Sequence, residues 1–279
     1  MSTSSETLRT LSGSALLQGQ VVLITGASRG IGAATALLLA RHGAAIGVNY
    51  RYHADRANAV VEAIRSSGGR AMSLQANVEN EDQVGSMVQR VEQELGPIDT
   101  LVLNAIVGRS PDAEATEPAE LRGNWTAKVF LDSTWSQYQQ IVQRILVGVY
   151  LPARIVAPLM VARQHGNLIA VSSTLARAPI SGAGAVAAGK ASVEALLKSL
   201  VSELGPQGIR VNVVAAGIVE TEASAPYLQA YQTTISQTLP LRRIAQPDDI
   251  AAAILLLALP QAGYLTGNYV AAGGGNYLP

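Results

Sequence analysis

The sequence predicts an α/β protein: one doubly wound domain around a parallel sheet of about seven strands. Three observations carry that expectation. Short β-rich runs are nearly all apolar, helix-length segments separate them, and no shift in composition marks a second domain. A strand apolar on both faces has to be covered on both, which helices between parallel strands achieve. With 279 residues, 48% hydrophobic and 14% charged, the chain can fill such a core.

Taken in order, residues 1–16 are rich in Ser and Thr, carry no period and read as a flexible arm without the apolar centre of a secretory signal. The domain proper is expected over 17–279. Val21 to Ile24 is a buried strand, and Ile31 to His42 recurs with helical spacing up to Gly43. Ala45 to Tyr50 and Asp55 to Ser67 repeat the unit, as do Ala71 to Leu74 with Glu81 to Leu95. Thr100 to Leu103 precedes a long helix from Trp135 to Gln164. Asn167 to Val171, a helix over Gly184 to Leu204, and Arg210 to Val214 follow. Pro247 to Leu259 is a last helix before a short strand at Tyr269 to Ala271. One stretch breaks the rhythm. Residues 107–134 form a long polar connection with Pro111, Pro118 and Trp125, and loops of that length are usually functional covers or disordered.

Composition excludes several classes. Twenty basic residues balance twenty acidic ones, which argues against a nucleic-acid surface. Without cysteine there is no disulfide framework and no thiolate metal site, and the three histidines have no ligand spacing, so no metal is expected. The longest uninterrupted apolar run, Ile250 to Leu259, is roughly half a membrane span. The expectation is a cytoplasmic protein with a small-molecule partner.

Chemistry enters at the first strand–helix junction, Thr25-Gly26-Ala27-Ser28-Arg29-Gly30-Ile31-Gly32. Glycines there permit a tight turn and let the backbone approach a pyrophosphate at the positive end of a helix. An acid closing the second strand would hydrogen-bond a free ribose and repel a 2′-phosphate. That stretch reads Val48-Asn49-Tyr50-Arg51, with no acid. Arg29 and Arg51 can clasp a 2′-phosphate, although each alone reads equally well as a solvated charge. The pair points to NADP(H).

From residue 18 onward the chain resembles the short-chain dehydrogenase/reductase family, in the manner of its 3-oxoacyl-carrier-protein reductases. Asn77-Val78 is similar to the family's adenine-contacting Asp-Val, and Leu103-Asn104-Ala105-Ile106 to its Asn-Asn-Ala-Gly. Ala216-Gly217-Ile218-Val219-Glu220-Thr221 resembles its Pro-Gly segment, whose threonine touches the nicotinamide. Pro247-Asp248-Asp249-Ile250 and Tyr264-Leu265-Thr266-Gly267 resemble its carboxyl-terminal signature. The resemblance implies a Rossmann fold, NADP(H) and assembly as a homodimer or homotetramer. It assigns cofactor contacts to Gly26, Ser28, Arg29, Gly30, Ile31, Gly32, Tyr50, Arg51, Asn77, Val78, Asn104, Lys190, Gly217, Val219 and Thr221.

In that family a tyrosine four residues before a lysine gives the proton that accompanies hydride transfer, a serine holds the substrate oxygen, and an asparagine completes a water relay. Lys190 and Ser173 match the lysine and the serine. Four residues before Lys190 stands Val186, and the asparagine position is Ile145. No tyrosine lies between Tyr150 and Tyr227, so no shift of frame restores one. A general acid contributes about 10²–10⁴-fold, whereas orientation can contribute more. The resemblance therefore implies an atypical NADP(H)-dependent ketoreductase of a bulky apolar, secondary-metabolite or lipid-like ketone or enone. Ser173 and Lys190 are its catalytic residues, and Trp125, Phe130 and Trp135 either cover the substrate or pack an irregular segment. Two other readings stay open: a non-redox isomerase, cyclase or dehydratase with NADP(H) bound, and a non-catalytic NADP(H)-binding partner subunit.

Overall fold

The computed structural model describes residues 15–105 and 129–278. The arm over 1–16 and the connection over 107–134, with Trp125 in it, lie outside the described residues except for 15–16 and 129–134.

Seven strands are present: β1 (Val21–Ile24), β2 (Ala45–Tyr50), β3 (Ala71–Gln75), β4 (Thr100–Leu103), β5 (Gly166–Ser173), β6 (Ile209–Ala216) and β7 (Tyr269–Ala272). They form one sheet in the order β3-β2-β1-β4-β5-β6-β7, every neighbour parallel. The helices are α1 (Gly30–Arg41), α2 (Ala54–Ser66), α3 (Glu81–Glu94), α4 (Trp135–Arg163), α5 (Gly184–Leu204), α6 (Ala225–Thr238) and α7 (Pro247–Ala258).

Because side chains alternate along a strand, each strand feeds two cores. Leu23, Leu101 and Leu103 pack with Met87 and Val91 of α3, Val149 and Val156 of α4, and Val193 and Leu197 of α5. Val22, Ile24 and Val102 pack on the opposite face with Leu39 of α1, Val61 and Ile64 of α2, and Ile254 and Leu257 of α7. Each fully buried aliphatic side chain contributes about 1.5–3 kcal/mol. The strand order reverses between β1 and β4, so their carboxyl ends open a crevice at that point.

One element departs from the expectation. Helix α6 was not anticipated: its sequence is rich in Gln and Thr, and among the described residues Leu228 and Ile235, with Leu239 beyond its end, pack into a small separate cluster with Ile218 and Ile244. Pro226 at its start was the available signal. Helix α4 has the length and composition of a membrane span, with an 18-residue window of mean hydropathy 2.0, which a search for uninterrupted apolar runs passes over. It packs against α3, α5, β4 and β5, the placement of a sheet-covering helix. A Thr134–Gln137 capping box starts it, and Gln164 closes it at φ 49°.

Candidate functional site

The β1–α1 turn is built so that only glycine fits at two places. A Cβ on Gly26 would stand 2.9 Å from Ala105 Cα, and one on Gly32 only 2.4 Å from the Gly26 carbonyl. Gly26 also has φ +64°. Buried Asn49 braces the turn from β2: its Oδ1 accepts the Gly26 N–H at 3.1 Å, while its Nδ2 donates to the carbonyls of Leu74 and Ala76. Asn104 braces it from β4, donating from Nδ2 to the carbonyls of Thr25 (2.9 Å) and Gly26 (3.1 Å). Thr25 Oγ1 in return accepts the N–H groups of Asn104 and Ala105.

Just past this turn α1 begins with no side-chain cap and no acid in its first turn. Its first N–H groups and the positive end of its dipole are thus left for an anion. The cradle fits a dinucleotide pyrophosphate. Half-buried Ser28 and Ile31 flank it, and Thr221 overhangs it, its Cγ2 being 3.4 Å from where a Gly30 Cβ would stand. Gly217 is pressed against Gly273, and buried Val219 bridges to Ala245, which fixes the loop bearing Thr221.

Arg29 lies in the glycine turn and Arg51 just past β2, and each meets a carboxylate. Arg51 reaches Glu79 at 3.3 Å, and Glu79 also meets Arg144 of α4 at 3.4 Å. Arg29 and Arg56 of α2 both meet Glu222. Glu79, four residues past β3, thus stands close to Arg51 although no acid neighbours that arginine in the sequence. Asn77 accepts the Glu79 N–H at 3.2 Å and Val78 is buried beside it. Half-buried Tyr50 accepts the Ala76 N–H. Arg51, Asn77, Gln83 and Arg90 line a cavity of about 700 Å³ at this edge.

Ser173 ends β5, its Oγ accepting the Leu175 N–H at 3.2 Å. Lys190 of α5 is buried, and its Nζ donates to the Val171 carbonyl at 2.7 Å. That uses one of three N–H donors and leaves two for a ligand. Burial pulls the ammonium down from 10.5 to about 8, with the Glu194 carboxylate opposing. Glu194 is itself buried, accepting from Ser172 Oγ (2.8 Å) and Arg177 Nε (2.9 Å). The Arg177 guanidinium lies 3.5 Å from the Tyr269 ring centre, and burial raises the Tyr269 phenol to about 12. The tail after β7 joins this network: Asn276 donates to Thr174 Oγ1 at 3.1 Å, one residue past Ser173.

Val186 lies one helical turn before Lys190 and packs on the core beneath α5. Tyr138 of α4 donates to the Gly184 carbonyl at 3.2 Å, at the start of α5. Ile145 is buried against Gly189: a Cβ there would stand 2.8 Å from its Cδ1 and 3.0 Å from its Cβ. Close approach of α4 and α5 beside Lys190 thus depends on a glycine. Gly189→Ala is expected to destabilise the chain by about 1–2 kcal/mol, overpacking outweighing the better helix propensity of alanine, and Ile145→Val in the same chain should return part of it. Thermal melts of the native chain and the two variants check this.

The sequence-assigned residues come together at one edge of the sheet, at the carboxyl ends of β1 to β6. Phe130 and Trp135 do not pack a core; they are 83% and 74% exposed, Trp135 stacking on Tyr138. Asn49, Glu79, Glu194 and Glu222 were missed as parts of the site. Their only sequence signal was adjacency to assigned residues, since their partners are remote along the chain.

A glycine cradle at the switch point of a doubly wound parallel sheet, with an uncapped helix start facing it, defines a dinucleotide-binding protein. Residues 26–276 match the family described as enoyl-(acyl carrier protein) reductase. A 3-oxoacyl-[acyl-carrier-protein] reductase of Synechocystis is 34% identical over 260 residues, 93% of this chain and 97% of the relative. An NADPH-bound short-chain oxidoreductase of Pseudomonas aeruginosa, described as containing an atypical catalytic centre, superposes with a TM-score of 0.82 at 28% identity, covering 94% of this chain and 98% of that one. A 7α-hydroxysteroid dehydrogenase solved with NADH and 7-oxo glycochenodeoxycholic acid gives 0.82 and 28%, with 93% and 94% covered. The chain belongs to the short-chain dehydrogenase/reductase family of oxidoreductases.

Proposed function

We propose that this chain is an NADP(H)-dependent reductase of a ketone or enone in a bulky apolar substrate, working without the family's tyrosine. The observation that carries the reading is an intact glycine cradle beside a site holding Ser173, Lys190 and, in place of a phenol, Val186. The nicotinamide cofactor supplies hydride when bound. Gly26, Ser28, Arg29, Gly30, Ile31 and Gly32 hold its pyrophosphate, Asn77 and Val78 its adenine, and Arg29, Tyr50 and Arg51 its 2′-phosphate ribose. Asn104 keeps the turn closed, and Gly217, Val219 and Thr221 line the nicotinamide side. Lys190 holds the nicotinamide ribose with the two donors it has in reserve. Ser173 Oγ donates to the substrate oxygen and orients the carbonyl; the proton arrives from water or the substrate itself. Relatives described as acting with acyl carrier proteins and an oxo bile acid support a large, mostly apolar substrate. The proposed protein is a cytoplasmic homodimer or homotetramer, to whose contacts exposed Tyr150, Leu256 and Leu265 are available.

Steady NADPH oxidation with such a ketone, lost when the glycine turn is disrupted, is the expected result. Absence of turnover across a broad carbonyl panel would count against it. The missing phenol equally favours one other reading, a non-redox isomerase, cyclase or dehydratase; product formed with no change in nicotinamide absorbance would select it.

Lys190 allows a check that needs no substrate. The unfolded chain holds this proton up to the ordinary 10.5, the folded chain only to about 8. Between those values the unfolded state binds more protons, so stability rises with pH. Below pH 8 the folded state carries the whole cost of the buried charge, on the order of 3 kcal/mol. Lys190→Met should therefore stabilise the nucleotide-free protein at pH 7, and the gain should shrink as pH rises from about 8 to 10.5. Paired thermal melts across that range test it; a gain that does not change with pH would contradict it.

A further inference from the structure

Glu222 stands immediately after Thr221, in the loop that overhangs the glycine turn. Its carboxylate meets two guanidiniums from different elements: Arg56 of α2, and Arg29 of the turn at 3.4 Å. These arginines, Arg56 foremost, hold its carboxyl below the usual range, so it is charged at neutral pH. Arg29 is also the guanidinium assigned above to the 2′-phosphate. One cation thus faces two anions, one built into the chain and one brought by the ligand.

We propose that Glu222 is a specificity-determining residue whose carboxylate competes with the cofactor's 2′-phosphate for Arg29 and so lowers the preference for NADP over NAD. The inference rests on the cofactor reading above. The competition is winnable: the Glu222 side chain is 58% exposed, and exposed pairs are weak. A phosphate dianion makes the stronger, charge-assisted pair with a guanidinium. Arg56 makes the shorter contact with Glu222, so the carboxylate keeps a partner when Arg29 is taken. It stays close by, and its like charge opposes the incoming phosphate. NAD carries only a neutral 2′-hydroxyl at that position and escapes the penalty.

The test compares native chain, Glu222→Gln and Arg56→Ala by calorimetric titration with 2′,5′-ADP, 5′-AMP, NADP⁺ and NAD⁺. Glu222→Gln should bind 2′,5′-ADP and NADP⁺ about two- to fivefold tighter, with 5′-AMP and NAD⁺ unchanged. Arg56→Ala, which leaves Glu222 to Arg29 alone, should weaken the two 2′-phosphorylated ligands selectively. Raised salt should narrow the differences. Native binding of 2′,5′-ADP with no gain in Glu222→Gln, or an equal change for all four ligands, would overturn the role of Glu222 and leave the cofactor reading standing. No binding of any of the four to the native chain would overturn the cofactor reading and this inference with it.

Discussion

Gly32→Ala abolishes dinucleotide binding. The added methyl stands 2.4 Å from the Gly26 carbonyl and 2.7 Å from Asn104 Nδ2. Neither obstacle can step aside: the first is backbone of the turn itself, the second is the amide that ties Thr25 and Gly26 to β4. Relief requires opening the cradle, with loss of those hydrogen bonds at about 1 kcal/mol each and an overpacking cost of about 1–3 kcal/mol. The expected result is dinucleotide affinity lower by at least about 10²-fold, with stability reduced by about 3–5 kcal/mol. Gly85→Ala is the matched control. Its methyl meets nothing within 4 Å in the middle of α3, so it should keep native affinity and gain up to about 1 kcal/mol. Nucleotide titration and thermal melts of the two proteins separate the cases; a Gly32→Ala chain that binds normally would remove the cradle from the account.

Val186→Tyr creates carbonyl reduction or raises it by about 10²–10⁴-fold, the contribution of a positioned general acid. Position 186 is one turn from Lys190 on the same face of α5, so a phenol there lies alongside the ammonium. The positive charge favours the phenolate and brings the phenol toward the range useful at neutral pH. Val186 is half-buried rather than sealed in the core, which leaves room for the larger ring. NADPH oxidation on a panel of small and bulky ketones is the measurement. A rate indistinguishable from the native chain would place the substrate away from this face and defeat the proposed site.

Nearly all of the sheet could be read in advance because its strands are apolar runs such as Val21–Ile24 and Leu101–Leu103, bounded by turn residues. Period and punctuation are local properties, and local properties survive without coordinates. Helix α6 was missed for the complementary reason: it covers only a small satellite cluster, so few apolar positions mark its period. The site divides along the same line. The glycines are recognisable from their short spacing, and Ser173, Lys190 and Val186 through the resemblance to the short-chain dehydrogenase/reductase family. The acids that set the charge around them are not, because Glu222 lies 193 residues from Arg29 and Glu79 lies 28 from Arg51. Absence of an acid beside Arg51 in sequence did not mean absence in space.

The tail that follows β7 bears on how the protein should be handled. Asn276 is bonded to Thr174, Gly273 is pressed on Gly217, and Gly274 accepts a bond from Leu241. These few residues wedge together the end of β5 and the loop bearing Thr221. A purification handle or fluorescent fusion attached there would tug on both at once.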